Sequence, residues 1–184
     1  MKTISVKDLV VPLSEYATIP IGASLLEAVE ALETAQEEFD ATKYRHRAIL
    51  VLDESGDVVG KVGQLDALRA LEPKYCEMGE SIAVSRFGFS AGFLKNMCEQ
   101  FELFDKPMDD ICKKAAKLEV ETCMSKLSEG EIIDIEATLD MAIHQLVMGH
   151  HQSLLVKEGK AVAGVLRLTD VFVAVFHSMR QCRL

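Results

Sequence analysis

Tryptophan is absent from the 184-residue chain, and aromatic residues account for only 6% of it. The core must therefore be packed mainly with Leu, Val, Ile, Ala and Met side chains. Hydrophobic residues make up 49% and charged residues 27% of the sequence, which is typical of a folded globular protein and argues against disorder. The length allows one well-packed domain, or two small units that share a core.

Long apolar runs are also missing. No stretch approaches the roughly 20 apolar residues that a membrane-spanning helix needs, and the first residues, MKTISVKDLVV, lack the apolar segment of a secretion signal. The cysteines are odd in number, widely spaced and without a CxxC pair, which argues against a disulfide framework or a zinc site. We therefore expect reduced thiols in a cytoplasmic protein. The cysteines are Cys76, Cys98, Cys112, Cys123 and Cys182.

Positive charge is scarce, since 20 Lys and Arg residues face 29 Asp and Glu residues, for a net charge of −9. Non-specific binding to nucleic acid or to an anionic membrane requires a basic surface, so we expect neither as a partner. A local cluster of Lys43, Arg45, His46 and Arg47 leaves a small phosphate pocket open. A solvated helix end is the simpler explanation of the same cluster.

Catalytic motifs are missing as well. The sequence has no GxSxG elbow, no P-loop and no GxGxxG turn, so we do not expect an enzyme. His144 and His151 are seven residues apart and are expected to share one helix face, with His150 beside them. No carboxylate or thiolate is spaced to complete a metal site with them. We expect histidines at the rim of a cleft, where His150 or His151 can reach a ligand phosphate.

What the sequence does contain is an internal repeat. Residues 6–32 align with residues 120–146 at a constant offset of 114, without a gap, and ten of the 27 positions are identical. The match resumes downstream, where AILV at 48–51 lies over SLLV at 153–156, and Asp66 lies over Asp170. Between these blocks the first copy has 15 residues and the second has six. We expect the extra residues to lengthen the first helix or the turn after it.

Each copy predicts the same elements. Alternating isoleucines indicate a short strand, and Ser24 with Glu27 forms the capping box of a helix with an apolar stripe. Two apolar runs joined by the polar turns DESGD and KEGK predict a hairpin, and Asp66 and Asp170 mark the start of a closing helix. One such unit is marginal alone. The repeat therefore predicts a pseudo-two-fold pair with a cleft between its halves.

Residues 72–119 belong to neither copy and are too many for an idle loop. Ser90 is expected to cap a helix that runs to about Leu103, and Pro107 suits the first turn of a second helix, from about Met108 to Leu118. This segment is either a helical arm for a partner or a dimer, or an insert that covers one edge of the core. The chain thus divides into a first repeat (1–71), a helical insert (72–119) and a second repeat (120–184).

The two copies resemble the CBS domain, which commonly occurs as tandem pairs. The resemblance covers about two-thirds of the chain and implies an α+β (α/β-like) fold of two β-α-β-β-α repeats. Nucleotide-binding members carry, after the hairpin, a glycine, two apolar residues, Ser or Thr, two variable residues and Asp. Here the copies read GKVGQLD (60–66) and GVLRLTD (164–170). The glycine and the aspartate are in place, whereas Gly63 and Arg167 replace the hydroxyl residue.

The resemblance implies a cleft site for an adenine nucleotide. In the family the aspartate accepts hydrogen bonds from both ribose hydroxyls, which suits its two oxygens, and the helix that starts there offers N–H groups to a phosphate. We favour the Asp170 side, because Thr169 keeps a hydroxyl beside it and Arg167 suits a phosphate. The Asp66 side, with Gly63, is poorer in polar groups. The alternative is that both aspartates only cap their helices.

The base is expected to be held by backbone where the first strand of each copy begins and where the second strand begins. The aspartate of one repeat usually faces the base pocket of the other. The implied positions are Thr18, Ile19, Arg47, Ala48 and Ile49 in the first copy, and Ile132, Ile133, Gln152, Ser153 and Leu154 in the second.

The function that the resemblance implies is a non-catalytic regulatory module. AMP, ADP or ATP is its expected ligand, with no required cofactor, and a homodimer that signals to an effector protein is its expected assembly. The alternative is a CBS pair that binds no small ligand and serves for dimerisation or protein interaction. The missing hydroxyl residues favour this alternative.

Overall fold

The structure, a computed structural model, describes residues 4–38, 47–72, 90–101 and 108–181. Its α-helices are α1 (Leu25–Glu38), α2 (Gln64–Leu71), α3 (Ala91–Gln100), α4 (Met108–Ala115), α5 (Leu139–Gly149) and α6 (Leu168–Gln181). Its strands are β1 (Val11–Pro12), β2 (Thr18–Pro20), β3 (Ala48–Leu52), β4 (Val58–Gly63), β5 (Ser125–Lys126), β6 (Ile132–Asp134), β7 (Ser153–Glu158) and β8 (Ala161–Arg167). The predicted β-α-β-β-α order is therefore present twice.

The first helix begins where the capping box predicts. The Glu27 backbone N–H donates to Ser24 Oγ at 3.2 Å, and the Ser24 N–H donates to the Glu27 carboxylate at 2.7 Å. Hydrogen bonds from the Ser24 backbone and hydroxyl hold the pKa of Glu27 below its usual value. α1 has 14 residues and α5 has 11, so part of the extra length of the first copy does lengthen its helix.

The closing helices begin at Gln64 and Leu168, two residues before the aspartates near which the sequence predicts their starts. Asp66 lies inside the first turn of α2, and its Oδ2 accepts from the Gly63 N–H at 2.9 Å. A carboxylate that reaches back to the residue before the helix belongs to the third helical position rather than to the cap. Asp66 therefore lies at the third position of α2 and not at its start.

The predicted shared helix face of His144 and His151 is wrong. α5 ends at Gly149, and His150 follows in the left-handed conformation (φ 54°). The chain then turns back, so that the His151 ring packs against Gly149. Because the helix stops between them, the two histidines belong to different elements.

Two four-stranded sheets exchange one strand each between the repeats. One sheet has the order β1-β8-β7-β6 and the other β2-β3-β4-β5. The first strand of each repeat therefore completes the sheet of the other repeat. Both exchanged strands lie antiparallel to the second hairpin strand of the other copy, whereas β2 with β3 and β6 with β7 are parallel pairs.

The exchanged strands follow one pseudo-two-fold symmetry. Val6 N donates to Ala137 O at 3.0 Å, and the equivalent Val120 N donates to Ala23 O at 2.9 Å. The symmetry extends to the strand registers. They pair Val11 with Val165 and Pro12 with Gly164 in one sheet, and Ser125 with Lys61 and Lys126 with Gly60 in the other.

The glycine common to both hairpins, Gly60 and Gly164, lies where the exchanged strand passes. A Cβ at Gly164 would lie 2.1 Å from the Val11 carbonyl oxygen. A Cβ at Gly60 would lie 2.6 Å from Met124 Sδ and 3.1 Å from the Ser125 carbonyl oxygen. Glycine therefore allows the close backbone approach on which the strand exchange depends.

Each repeat has its own apolar core, and a third cluster joins the two sheets. Val6 is buried in the core of the second repeat, and Val120 is buried in the core of the first. The first residues of each repeat therefore pack into the core of the other repeat. The cluster between the sheets draws its residues from both repeats. They are Val11, Tyr16, Leu50, Leu155 and Val165.

The two helices predicted between the repeats are present. Phe93 N donates to Ser90 Oγ at 3.2 Å at the start of α3, which ends at Gln100. α4 packs against α1 and α2, with Ala115 buried in the first core. For α4, this packing favours the second of the two alternatives, an insert that covers one edge of the core. Leu103 and Pro107 lie outside the described residues, as do Cys76 and Cys182.

Candidate functional site

A cavity of about 560 Å³ lies between the two repeats, where β4 leads into α2 and β8 leads into α6. Equivalent backbone hydrogen bonds fix both helix starts, from Gln64 N to Arg47 O at 3.1 Å and from Leu168 N to Gln152 O at 2.9 Å. Both repeats contribute side chains to the wall. The polar and charged ones include Tyr16, Arg47, Lys61 and Asp66 from the first repeat, and Ser125, Glu131, His150, His151, Arg167 and Thr169 from the second.

Asp66 connects the two repeats at this cavity. Its Oδ2 accepts from the Gly63 N–H, and its Oδ1 accepts from Ser125 Oγ of the second repeat at 3.1 Å. The residue equivalent to Ser125 in the first repeat is Val11, which has no hydroxyl to offer Asp170. Each carboxylate oxygen has two lone pairs, so Asp66 can still accept hydrogen bonds from a ligand.

An ion pair between Lys61 and Glu131 crosses the cleft. Lys61 Nζ donates to Glu131 Oε1, and the two side chains are only 20% and 12% exposed. Glu131 Oε2 also accepts from the Ser128 backbone N–H and hydroxyl, both at 3.2 Å. Burial alone raises the pKa of Glu131, but the hydrogen bonds from Lys61 and Ser128 outweigh it and hold that pKa below its usual value. Glu131 is therefore ionised, and His151 Nδ1 lies 3.7 Å from it.

Arg167 and Asp170 form a bidentate pair. Arg167 Nε and Nη2 donate to the two carboxylate oxygens of Asp170 at 2.5 and 2.8 Å, with side chains 7% and 18% exposed. Arg167 lines the cleft cavity, whereas Asp170 lies outside its wall and lines a second cavity of about 540 Å³ beside Val11 and Pro12. Asp170, which the sequence favours as the ligand residue, therefore pairs with the cleft residue Arg167 from outside the cleft.

Tyr16 belongs both to the cleft wall and to the apolar cluster between the sheets. Burial raises the pKa of Tyr16 to about 12, with Arg167 lowering it and Asp170 raising it further. The phenol is therefore neutral at physiological pH.

The structure brings about half of the predicted ligand residues together. Those that line the cleft are Arg47, Ala48, Gly63, Asp66, Gln152, Ser153, Arg167 and Thr169. Ile19, Ile49, Ile133 and Leu154 are buried in the two repeat cores, so only their backbone is available for the contact that the resemblance implies.

Thr18 and Ile132 are half-buried on β2 and β6 and lie outside the cleft wall. In the candidate basic cluster, Arg47 is exposed and lines the cleft, whereas Lys43, Arg45 and His46 lie outside the described residues.

Lys61, Glu131, Tyr16 and Ser125 line the cleft without having been predicted. The repeat alignment carried a signal for two of them. Lys61 aligns with Val165 and Glu131 with Ala17, and both counterparts are buried. Two opposite charges at positions that are apolar in the other copy indicate that the charges face each other in one half of the pair.

Two negative findings concern the described part of the chain. It holds no group of three or more His, Cys, Asp or Glu side chains that could bind a metal ion. None of its helices is both long enough and apolar enough to cross a membrane.

Comparison with known proteins agrees with this architecture. A family model of the CBS domain matches residues 6–73, which include the first hairpin and α2. No curated protein gives a significant sequence match.

Solved structures with the same fold span nearly the whole chain. A CBS domain-containing protein of unknown function from Bacillus anthracis is 15% identical, with a TM-score of 0.61 over 95% of this chain and 94% of that one. CBSX2 from Arabidopsis thaliana is 16% identical, with a TM-score of 0.60 over 97% and 99% of the two chains. A structure of CBSX2 in complex with AMP gives a TM-score of 0.59 over 94% and 97%, also at 16% identity.

These similarities identify the class as α+β, with two repeats related by a pseudo-two-fold axis. Residues 6–73 match the family model of the CBS domain, and the chain as a whole shares the fold of solved CBS-domain proteins. The predicted fold class is therefore confirmed.

Proposed function

We propose that this CBS-domain pair is a non-catalytic regulatory module that binds an adenine nucleotide in the cleft between its repeats. One observation carries the proposal: the cavity of about 560 Å³ has walls from both repeats. Three cationic side chains, Arg47, Lys61 and Arg167, line it in a chain whose net charge is −9. A concave site with a few polar and cationic groups suits an anionic small molecule. CBSX2, which shares the fold, has been solved in complex with AMP.

Asp66 is the residue that we propose for the ribose hydroxyls in this cavity. It lies in the cavity wall, and its carboxylate is oriented by Gly63 and Ser125. Asp170, with Thr169, is kept as the candidate for a second site. Its two oxygens already accept from Arg167, so a ribose would have to compete with that guanidinium.

Calorimetric titration with AMP and ATP tests the proposal. Asp66→Asn keeps the shape of the side chain and removes its charge, so we expect AMP affinity to fall about tenfold or more. Asp170→Asn is the matched control and should change affinity at the cleft less. AMP should also raise the melting temperature, because a ligand at 100 times its Kd stabilises the folded state by about 2.7 kcal/mol. No stabilisation at millimolar AMP or ATP would contradict nucleotide binding.

Regulation requires that the nucleotide bind two arrangements of the repeats, or of a homodimer, with different affinity. The cleft suits this role because Asp66 to Ser125 and Lys61 to Glu131 are contacts between the repeats at its wall. A homodimer and an effector protein that responds to it complete the proposal.

The second candidate is a module for dimerisation or protein interaction that binds no small ligand. It is favoured by exposed apolar side chains on the outer helices, since such patches commonly mark protein interfaces. Leu65 and Leu68 on α2 are 67% and 62% exposed, and Phe172 and Met179 on α6 are 69% and 68% exposed. A chain that dimerises in light scattering, holds no nucleotide and is unaffected by Asp66→Asn would fit this candidate.

A further inference from the structure

The two halves of the cleft differ in one pair of positions. Where the second repeat has Val165 on β8, the first has Lys61 on β4, and where the first repeat has Ala17, the second has Glu131. Val165 and Ala17 are 2% and 5% exposed. The fold therefore accommodates buried apolar residues at both positions in one half, whereas the other half carries a largely buried ion pair there.

A buried ion pair is poorly explained by stability. Removing two charges from water costs free energy that their attraction often does not recover, and apolar replacements of similar size are frequently neutral or stabilising. Lys61 and Glu131 also lie in the cavity wall rather than in a closed core. Their presence is better explained by something that occupies the cavity.

Lys61 has hydrogen-bonding capacity to spare. An ammonium group has three N–H donors. Among the described residues, Glu131 is the hydrogen-bond acceptor found for Lys61 Nζ. Glu131 is engaged on both oxygens, by Lys61 and by the Ser128 backbone and hydroxyl. The carboxylate thus positions the ammonium in the cavity wall while its own charge is largely compensated.

We propose that Lys61, positioned by Glu131 of the other repeat, recognises a phosphate group of the ligand that the cleft binds. The proposal rests on the proposed nucleotide function and assigns the specificity for a phosphorylated ligand to this pair. Charge-assisted hydrogen bonds to phosphate oxygens are the strong ones. A phosphate bound to Lys61 also touches the contact that joins the repeats, so recognition bears directly on their relative position.

The test uses the ratio of AMP affinity to adenosine affinity, which isolates the contribution of the phosphate. The main variant is Lys61→Val with Glu131→Ala, which places at both positions the residues found at the equivalent positions of the other half and leaves the net charge unchanged. We expect it to melt at or above the wild-type temperature, to bind adenosine as the wild type does, and to bind AMP about tenfold or more weakly. Lys160→Ala, at an exposed hairpin turn, is the control for the loss of one lysine elsewhere.

Lys61→Arg and Lys61→Gln provide a second measurement, in case the double variant does not fold. Arginine should retain the preference for AMP over adenosine, and glutamine should lose it. Equal losses of AMP and adenosine affinity, or unchanged AMP affinity without Lys61, would overturn the assignment while leaving the nucleotide function intact.

Inorganic pyrophosphate separates the two proposals if the wild type binds none of AMP, ADP, ATP and adenosine. Stabilisation by pyrophosphate that disappears in Lys61→Gln would then support the phosphate site and refute the nucleotide function. No effect of pyrophosphate on the wild-type melting temperature would refute both.

Discussion

Replacing Gly164 with alanine should show how much of the stability depends on the strand exchange. The new Cβ would lie 2.1 Å from the Val11 carbonyl oxygen, whereas ordinary contact begins near 3.4 Å. β1 would have to move away from β8 by roughly 1 Å to relieve the clash. Because the clashing atom belongs to the backbone, a change of side-chain rotamer cannot relieve it. Overpacking of this kind costs about 3 kcal/mol. At about 2–4 °C per kcal/mol for a chain of this size, the melting temperature should fall by about 6–12 °C.

Two glycine controls make the test specific. Gly60→Ala first meets Met124 Sδ, the flexible end of a side chain, so its loss should be nearer 1 kcal/mol. Gly92→Ala, in α3, has no atom within 4 Å of the new Cβ and should be neutral or slightly stabilising. Thermal unfolding followed by circular dichroism ranks the three variants. If Gly164→Ala unfolds at the same temperature as the wild type, the inferred close contact between β1 and Gly164 of β8 is refuted.

Three further changes have expected outcomes. Arg167→Met leaves the largely buried carboxylate of Asp170 unpaired and should cost about 3 kcal/mol in urea unfolding, part of which Asp170→Asn in the same chain should restore. The pKa of Glu131 in the folded protein lies below its usual value of 4.5. Its contribution to stability is therefore present above pH 4.5 and is lost as the pH falls through the folded-state pKa. Glu131→Gln should flatten the acid side of a plot of the free energy of unfolding against pH. Burial raises the pKa of Tyr16 from 10.0 to about 12, so its contribution to stability is present below pH 10 and lost as the pH rises towards 12. Tyr16→Phe should therefore remove a phenol that titrates near pH 12 from the alkaline ultraviolet difference spectrum.

The repeat was the part of the fold that could be predicted from sequence, because its strands and helices have periodic apolar patterns. The exchange of β1 and β5 could not be, since two-residue strands such as Val11–Pro12 and Ser125–Lys126 are too short for any pattern. The boundaries at residues 71/72 and 119/120 stay a prediction. The exchange also means that each repeat includes a strand encoded in the other.

The candidate site was harder to predict for a different reason. Thr169 and Arg167 made Asp170 the favoured aspartate, but an arginine three residues before an aspartate on a helix start can pair with that aspartate as readily as with a phosphate. Sequence alone does not distinguish the two pairings. The nucleotide contacts of Asp170 and Asp66 both stay predictions, with Asp66 the one that lies in the cleft wall.

The strand exchange also fixes the order in which the chain can close as it is synthesised. The sheet of the first repeat is incomplete until β5 has been made, and the sheet of the second repeat needs β1 from the first repeat and β8 from the second. Contacts between such distant residues close slowly, because a long loop must first be ordered. Val6 and Val11 thus have no completed core to enter until β8 has been made. The apolar residues at the start of the first repeat are therefore made well before the core that buries them is complete.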